Sequence, residues 1–132
     1  IDINCSKGSS LQYYKINHPQ SDSHQINNLN LNQDGNTDVT LFNLDLGADS
    51  ASSLNHFKLN GENSNISCST LFMPTENRSS HQNIVIDHLS DKTSSSVNFR
   101  GDMKRKFCQT RENTSQQPNA RAMFLKNYLP IY

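Results

Sequence analysis

The chain has no tryptophan and no starting methionine, and its 132 residues include only five glycines and four prolines. No stretch approaches the roughly 18 consecutive apolar residues that would cross a bilayer as a helix, so no membrane span is expected. Twelve Lys and Arg balance twelve Asp and Glu. A formal charge of zero removes the long-range attraction that draws a domain to nucleic acid or an anionic membrane. The basic cluster Lys104-Arg105-Lys106 therefore reads as a solvated turn. Three cysteines, Cys5, Cys68 and Cys108, are too far apart and odd in number for a disulfide framework; a reducing, cytoplasmic setting is expected.

Chemistry motifs are also missing. There is no G-x-S-x-G elbow and no glycine-rich phosphate loop. None of His18, His24, His56, His81 and His88 stands at a C-x2-C or H-x3-H spacing. Asp45, Asp49 and Glu62 are candidates, by position alone, for the glycosidase-like pair that the alternative function, a β-solenoid carbohydrate-binding or polysaccharide-processing module, would use. We assign no catalytic residue and no metal ligand from the sequence and expect no enzyme; cofactor-binding residues stay unassigned.

What the chain does have is Asn, Ser and a rhythm. Hydrophobic residues make up 33% of it, low against roughly 45–50% for an ordinary globular domain counted with Gly. They recur in short clusters, mostly two residues apart, which is strand period. The expected strands are Leu11–Ile16, Ile26–Leu31, Val39–Leu46, Leu54–Leu59, Ile66–Phe72, Gln82–His88 and Ser96–Phe99. Turn-formers divide them: Asp34-Gly35 within Gln33–Asn36, a loop over Gly47–Ser53, then NGENS, MPTENRSS and LSDKTSSS. The change of phase at Phe42-Asn43 predicts a bend or bulge. Beyond Gly101 the character shifts, with a weak helical pattern over Ala120–Leu125. The expected organisation is thus a β-helix core over residues 1–101 and an irregular or partial last coil over 102–132.

Two architectures fit these strands: a parallel β-helix or an antiparallel sandwich. Recurring Asn favours the β-helix, because amides can stack from coil to coil, each bonding the next. In such a winding, residues one coil apart can meet, so His56 with His88, or Cys68 with His88, come into reach of each other. Structural roles are the default for all three, and Cys68, flanked by apolar residues, reads as a buried inert thiol.

The order and spacing of several residues resemble the SufB/SufD family of iron–sulfur cluster assembly proteins, with SufD the nearer. They are Leu59-Asn60-Gly61-Glu62-Asn63-Ser64 before a strand, Met73-Pro74 after it, Ile86-Asp87-His88, Thr93, Ser95 and Phe99-Arg100-Gly101. Leu11-Gln12 and the His24–Asn32 stretch sit where the family has similar strands, so the resemblance spans about residues 10–101; Gln117, Asn119 and Leu125 extend it faintly. It implies a right-handed parallel β-helix and a non-enzymatic scaffold. Family members form a SufB–SufD heterodimer on the ATPase SufC, receive sulfur from a desulfurase and build a cluster at the SufB–SufD interface. The SufD Cys-x-His-Gly element and C-terminal helical segment are not found here, so no functional residue is carried over. The chain is expected to be an internal piece, binding no cofactor itself while the parent complex holds the iron–sulfur cluster. Its expected partners are SufB-like and SufC-like proteins, and its cut strand edges favour self-association.

Overall fold

A computed structural model describes residues 1–18, 24–46, 50–73, 79–101, 111–112 and 120–128. The described residues hold strands and no helix. The strands are β1 (Asp2–Cys5), β2 (Ser10–Asn17), β3 (His24–Gln33), β4 (Asp38–Asp45), β5 (Ser50–Leu59), β6 (Asn65–Phe72), β7 (Ser79–His88), β8 (Ser94–Gly101), β9 (Arg111–Glu112) and β10 (Ala120–Tyr128).

The chain alternates between two sheets. One has the order β1-β3-β5-β7-β10-β9, the other β2-β4-β6-β8. From β1 to β8 every pairing is parallel and links strands two apart in sequence. This is a β-solenoid of about three turns. The antiparallel sandwich is excluded, because hairpin partners would be consecutive strands. Partners lie 28 residues apart at Asp2↔Asn30, 26 at His24↔Ser50 and 29 at Ser50↔Ser79. From β2 to β8 strand length is constant within each sheet: β3, β5 and β7 each have 10 residues, and β2, β4, β6 and β8 each have 8.

Alternation sends every second side chain inward, and parallel register stacks like positions into columns. Ile3, Leu31, Phe57 and Ile86 form one inward column, and Leu11, Val39, Ile66 and Ser95 another. Leu31, Phe57, Leu59, Ile84 and Ile86 are fully buried. Outside, amides climb from coil to coil as the Asn content suggested. Asn32 donates to Asn4 (2.9 Å) and Asn63 to Asn36 (3.2 Å), while Asn65 donates to Asp38 (2.9 Å) and accepts from Ser94 (2.5 Å).

One corner repeats in every coil. Gly8, Asn36, Asn63 and Lys92 all have positive φ, at 78°, 56°, 56° and 55°. Asn and Gly carry this conformation cheaply, which is why the breaks are rich in them. A buried hydroxyl then ends each of three turns: Thr37, Ser64 and Thr93. Thr37 donates to Asp34 O, Ser64 to Asp34 O and Gly61 O, and Thr93 to Ser90 O.

Three expectations are corrected. The pairing of β4 with β6 is continuous from Asp38↔Asn65 to Asp45↔Phe72, so there is no bulge at Phe42-Asn43. The apolar phase changes because Asn43 and Asp45 take the inward positions and Leu44 points out. Residues 50–53 are strand rather than loop: at this end of the winding the inward positions are filled by Ala51 and Ser53, too small or polar to register as a hydrophobic period. Ala120–Leu125 is not helical. It lies in β10, which pairs antiparallel with β7 from Ala120↔His88 to Tyr128↔Ser80, so sheet pairing overrides a weak helical pattern. The Lys104-Arg105-Lys106 cluster lies outside the described residues.

Candidate functional site

The residues singled out for chemistry do not come together in one place. His88 ends β7 and points into the repeating corner, 1% exposed. Its Nδ1 is 2.7 Å from Thr93 Oγ1 and its Nε2 is 3.0 Å from Ser95 Oγ. The Thr93 hydroxyl proton is committed to Ser90 O, so Thr93 accepts from Nδ1–H, and Nε2 accepts the Ser95 hydroxyl. Both ring nitrogens are thus used by neighbouring hydroxyls, and the ring is a corner brace. Gln33 occupies the same column two coils back and makes the same bond, Nε2 to Thr37 Oγ1 (3.0 Å).

Burial pushes the His88 proton affinity down, with the Asp87 carboxylate opposing. The unfolded chain takes up a proton near the ordinary value of 6.5, and the folded chain only at lower pH. The neutral ring's stabilisation is therefore complete above that value and is lost as pH falls from about 6.5 towards the folded value. One proton limits the slope to about 1.4 kcal/mol per pH unit. Urea titrations of the wild type between pH 7.5 and 5 should show this loss, and His88→Gln, which copies Gln33, should be flatter. Equal slopes in both would show that His88 does not cause the acid sensitivity.

His56 does not meet His88. It lies on the outer face, its Nε2 2.8 Å from Asp87 Oδ2. Cys68 does not meet it either: it sits mid-strand in the column Tyr13, Leu41, Cys68, Val97. Cys68 is 1% exposed, and burial pushes its thiol up to about 12 despite the Thr70 hydroxyl. A sulfur acceptor needs an accessible thiolate, and Cys68 offers neither access nor charge. Burial also raises the Cys5 thiol. Cys108 lies outside the described residues.

The carboxylates do not pair. Asp45 is inward and 4% exposed at the far end of β4; Glu62 is exposed in the corner turn before β6. Seven residues of strand separate those ends, about 23 Å at 3.3 Å per residue, against about 5–9.5 Å for a glycosidase pair. Asp49 lies outside the described residues. Among the described residues no three His, Cys, Asp or Glu side chains group to hold a metal.

Sequence reasoning missed the polar end of the bore. Asp45 accepts from Asn17 (3.3 Å), Ser80 (3.2 Å) and Gln82 (3.2 Å). Beside it, burial lowers the Lys15 ammonium while Asp45 holds it up. Lys15, Asn17, Asn43, Asp45, Ser53 and Gln82 line a cavity of about 20 Å³, which suits a single water molecule. The only available signal was the alternation carried past Leu41, which puts Asn43 and Asp45 inward.

Among the described residues the winding is a two-sheet solenoid with braced corners, and the candidate residues do not converge. The family model for the SufBD core domain of SUF-system FeS cluster assembly matches residues 1–106. This chain belongs to the SufBD core family. No curated protein and no solved structure matches it. Three residues of the sequence resemblance, His88, Thr93 and Ser95, are the ones that close the last corner. The SufBD family serves as an assembly component rather than an enzyme in the ordinary sense, and this core indicates a role in building iron–sulfur clusters by the SUF system. No described helix is long and apolar enough to cross a membrane.

Proposed function

We propose that this chain is a SufD-like, non-enzymatic scaffold of the cytoplasmic SUF machinery, working with a SufB-like subunit and a SufC-like ATPase. The family match over residues 1–106 carries the reading. The architecture supports it: inward columns and outward amide ladders hold the coils in register, giving a stiff wall rather than a cleft. Among the described residues β8 ends its sheet, so a homologous wall has a strand edge to approach. In this reading the cluster forms in the parent complex, and Cys5 and Cys68 stay structural.

Co-expression with tagged SufB-like or tagged SufD-like subunits, each with SufC-like protein, tests the proposal. The chain should co-purify with the SufB-like subunit. Preference for the SufD-like subunit would overturn the SufD assignment, and retention by neither would overturn the scaffold role.

A further inference from the structure

The outer face of the β2-β4-β6-β8 sheet inverts the usual pattern at the end where the bore turns polar. Two outward columns run along the winding there. One is Tyr14, Phe42, Ser69 and Asn98; the other is Ile16, Leu44, Leu71 and Arg100. Tyr14 is 67% and Ile16 68% exposed, and the Tyr14 and Phe42 rings lie 6.3 Å apart at 50°. Phe42, Leu71, Asn98 and Arg100 line a shallow depression of about 370 Å³. The described part of the tail, β9 and β10, joins the other sheet, so no described strand covers this face.

The geometry points to a docking surface for an amphipathic helix of a partner protein, apolar along one face and carrying an acidic residue one turn beyond. Neighbouring strands are about 4.8 Å apart, so Ile16, Leu44 and Leu71 repeat at that interval along the winding. A helix laid along them repeats every 5.4 Å or so, a close match, whereas same-face side chains of an extended strand repeat at about 6.6 Å. The two columns, two residues apart on each strand, give a floor about 6.6 Å wide, enough for one apolar helix face. Arg100 lies one rung past Leu71, about 10 helix residues from the level of Ile16. It is exposed, and a carboxylate there would complete a charge pair at the rim.

A second copy is a poorer occupant. Packed antiparallel against itself, the stripe would set Arg100 over Ile16; packed parallel, it would set Arg100 against Arg100. Either buries a charge without a partner. The inference rests on this face alone and does not depend on the SUF role.

The test is a displayed library of peptides of about 18 residues, long enough to hold a helix, selected on the wild-type chain and counter-selected on Leu71→Asp. Enriched peptides should carry apolar residues at i, i+3 or i+4 and i+7, with Asp or Glu near i+10. An enriched peptide should bind Ile16→Ser and Leu71→Ser about tenfold or more weakly by fluorescence polarisation, and Arg100→Glu should favour Lys at the acidic position. These substitutions face solvent, so unchanged circular dichroism should accompany the loss. The proposal is overturned by no enrichment, by peptides lacking the acid or the helical spacing, or by affinities that ignore the substitutions. Concentration-dependent dimers that Leu71→Ser dissociates would assign the face to a second copy and overturn it as well.

Discussion

Gly61→Ala should remove most of the stability of the molecule. A Cβ on Gly61 would lie 2.0 Å from Gly35 N, 2.5 Å from Gly35 Cα and 2.7 Å from Asp34 C. All three atoms are backbone of the preceding coil and cannot swing aside. That backbone is itself held, since Asn36 N donates to Glu62 O (2.8 Å) and Ser64 Oγ donates to both Asp34 O and Gly61 O. Relief requires two coils to separate at the corner, breaking these bonds together. A loss on the order of 4 kcal/mol or more is expected, a large part of the usual 5–15 kcal/mol. Gly35→Ala is the matched control, because its Cβ would stop 3.2 Å from Glu62 O, a contact that a few tenths of an ångström relieves. Urea unfolding should show a collapsed midpoint for Gly61→Ala and a small shift for Gly35→Ala. Similar shifts in both would refute the close approach of the coils.

Phe57→Ala is expected to cost about 3–5 kcal/mol. Phe57 is 0% exposed and stacks between Leu31 and Ile86 in the inward column, where backbone ladders on both sides stop the walls from collapsing into the gap. Ile26→Ala removes a side chain that is 82% exposed and should stay within about 0.5 kcal/mol of the wild type. Urea midpoints with unchanged slopes would report the difference. A mild Phe57→Ala would mean that the column is not packed.

Much of this fold was legible because its two signals are local. Inward residues such as Leu29, Leu31, Phe57, Leu59, Ile84 and Ile86 alternate along the chain, and Gly and Asn mark the corners that need positive φ. Parallel pairing was not readable from the strands themselves, since a sandwich strand alternates identically. Its trace was the spacing of Asn, whose amides bond residues 27 or 28 apart. The reading failed where the inside is polar. Ala51, Ser53, Asn43 and Asp45 carry no hydrophobic period, so residues 50–53 looked like loop and the β4 phase looked broken. The His88 brace joins residues five and seven apart, close enough to see in sequence, but only the turn geometry shows that both hydroxyls face the ring.

The constancy of strand length has a consequence for how such a gene can change. The corner connections already differ, four residues at 34–37 and five at 60–64 and 89–93, while the strands beside them keep 8 and 10. One codon gained within a strand would turn every later side chain of that strand to the wrong face. One gained at a bend is absorbed there, and a whole lap of some 26–29 residues can be duplicated without disturbing its neighbours. Length variation should therefore gather at the bends or arrive as complete laps.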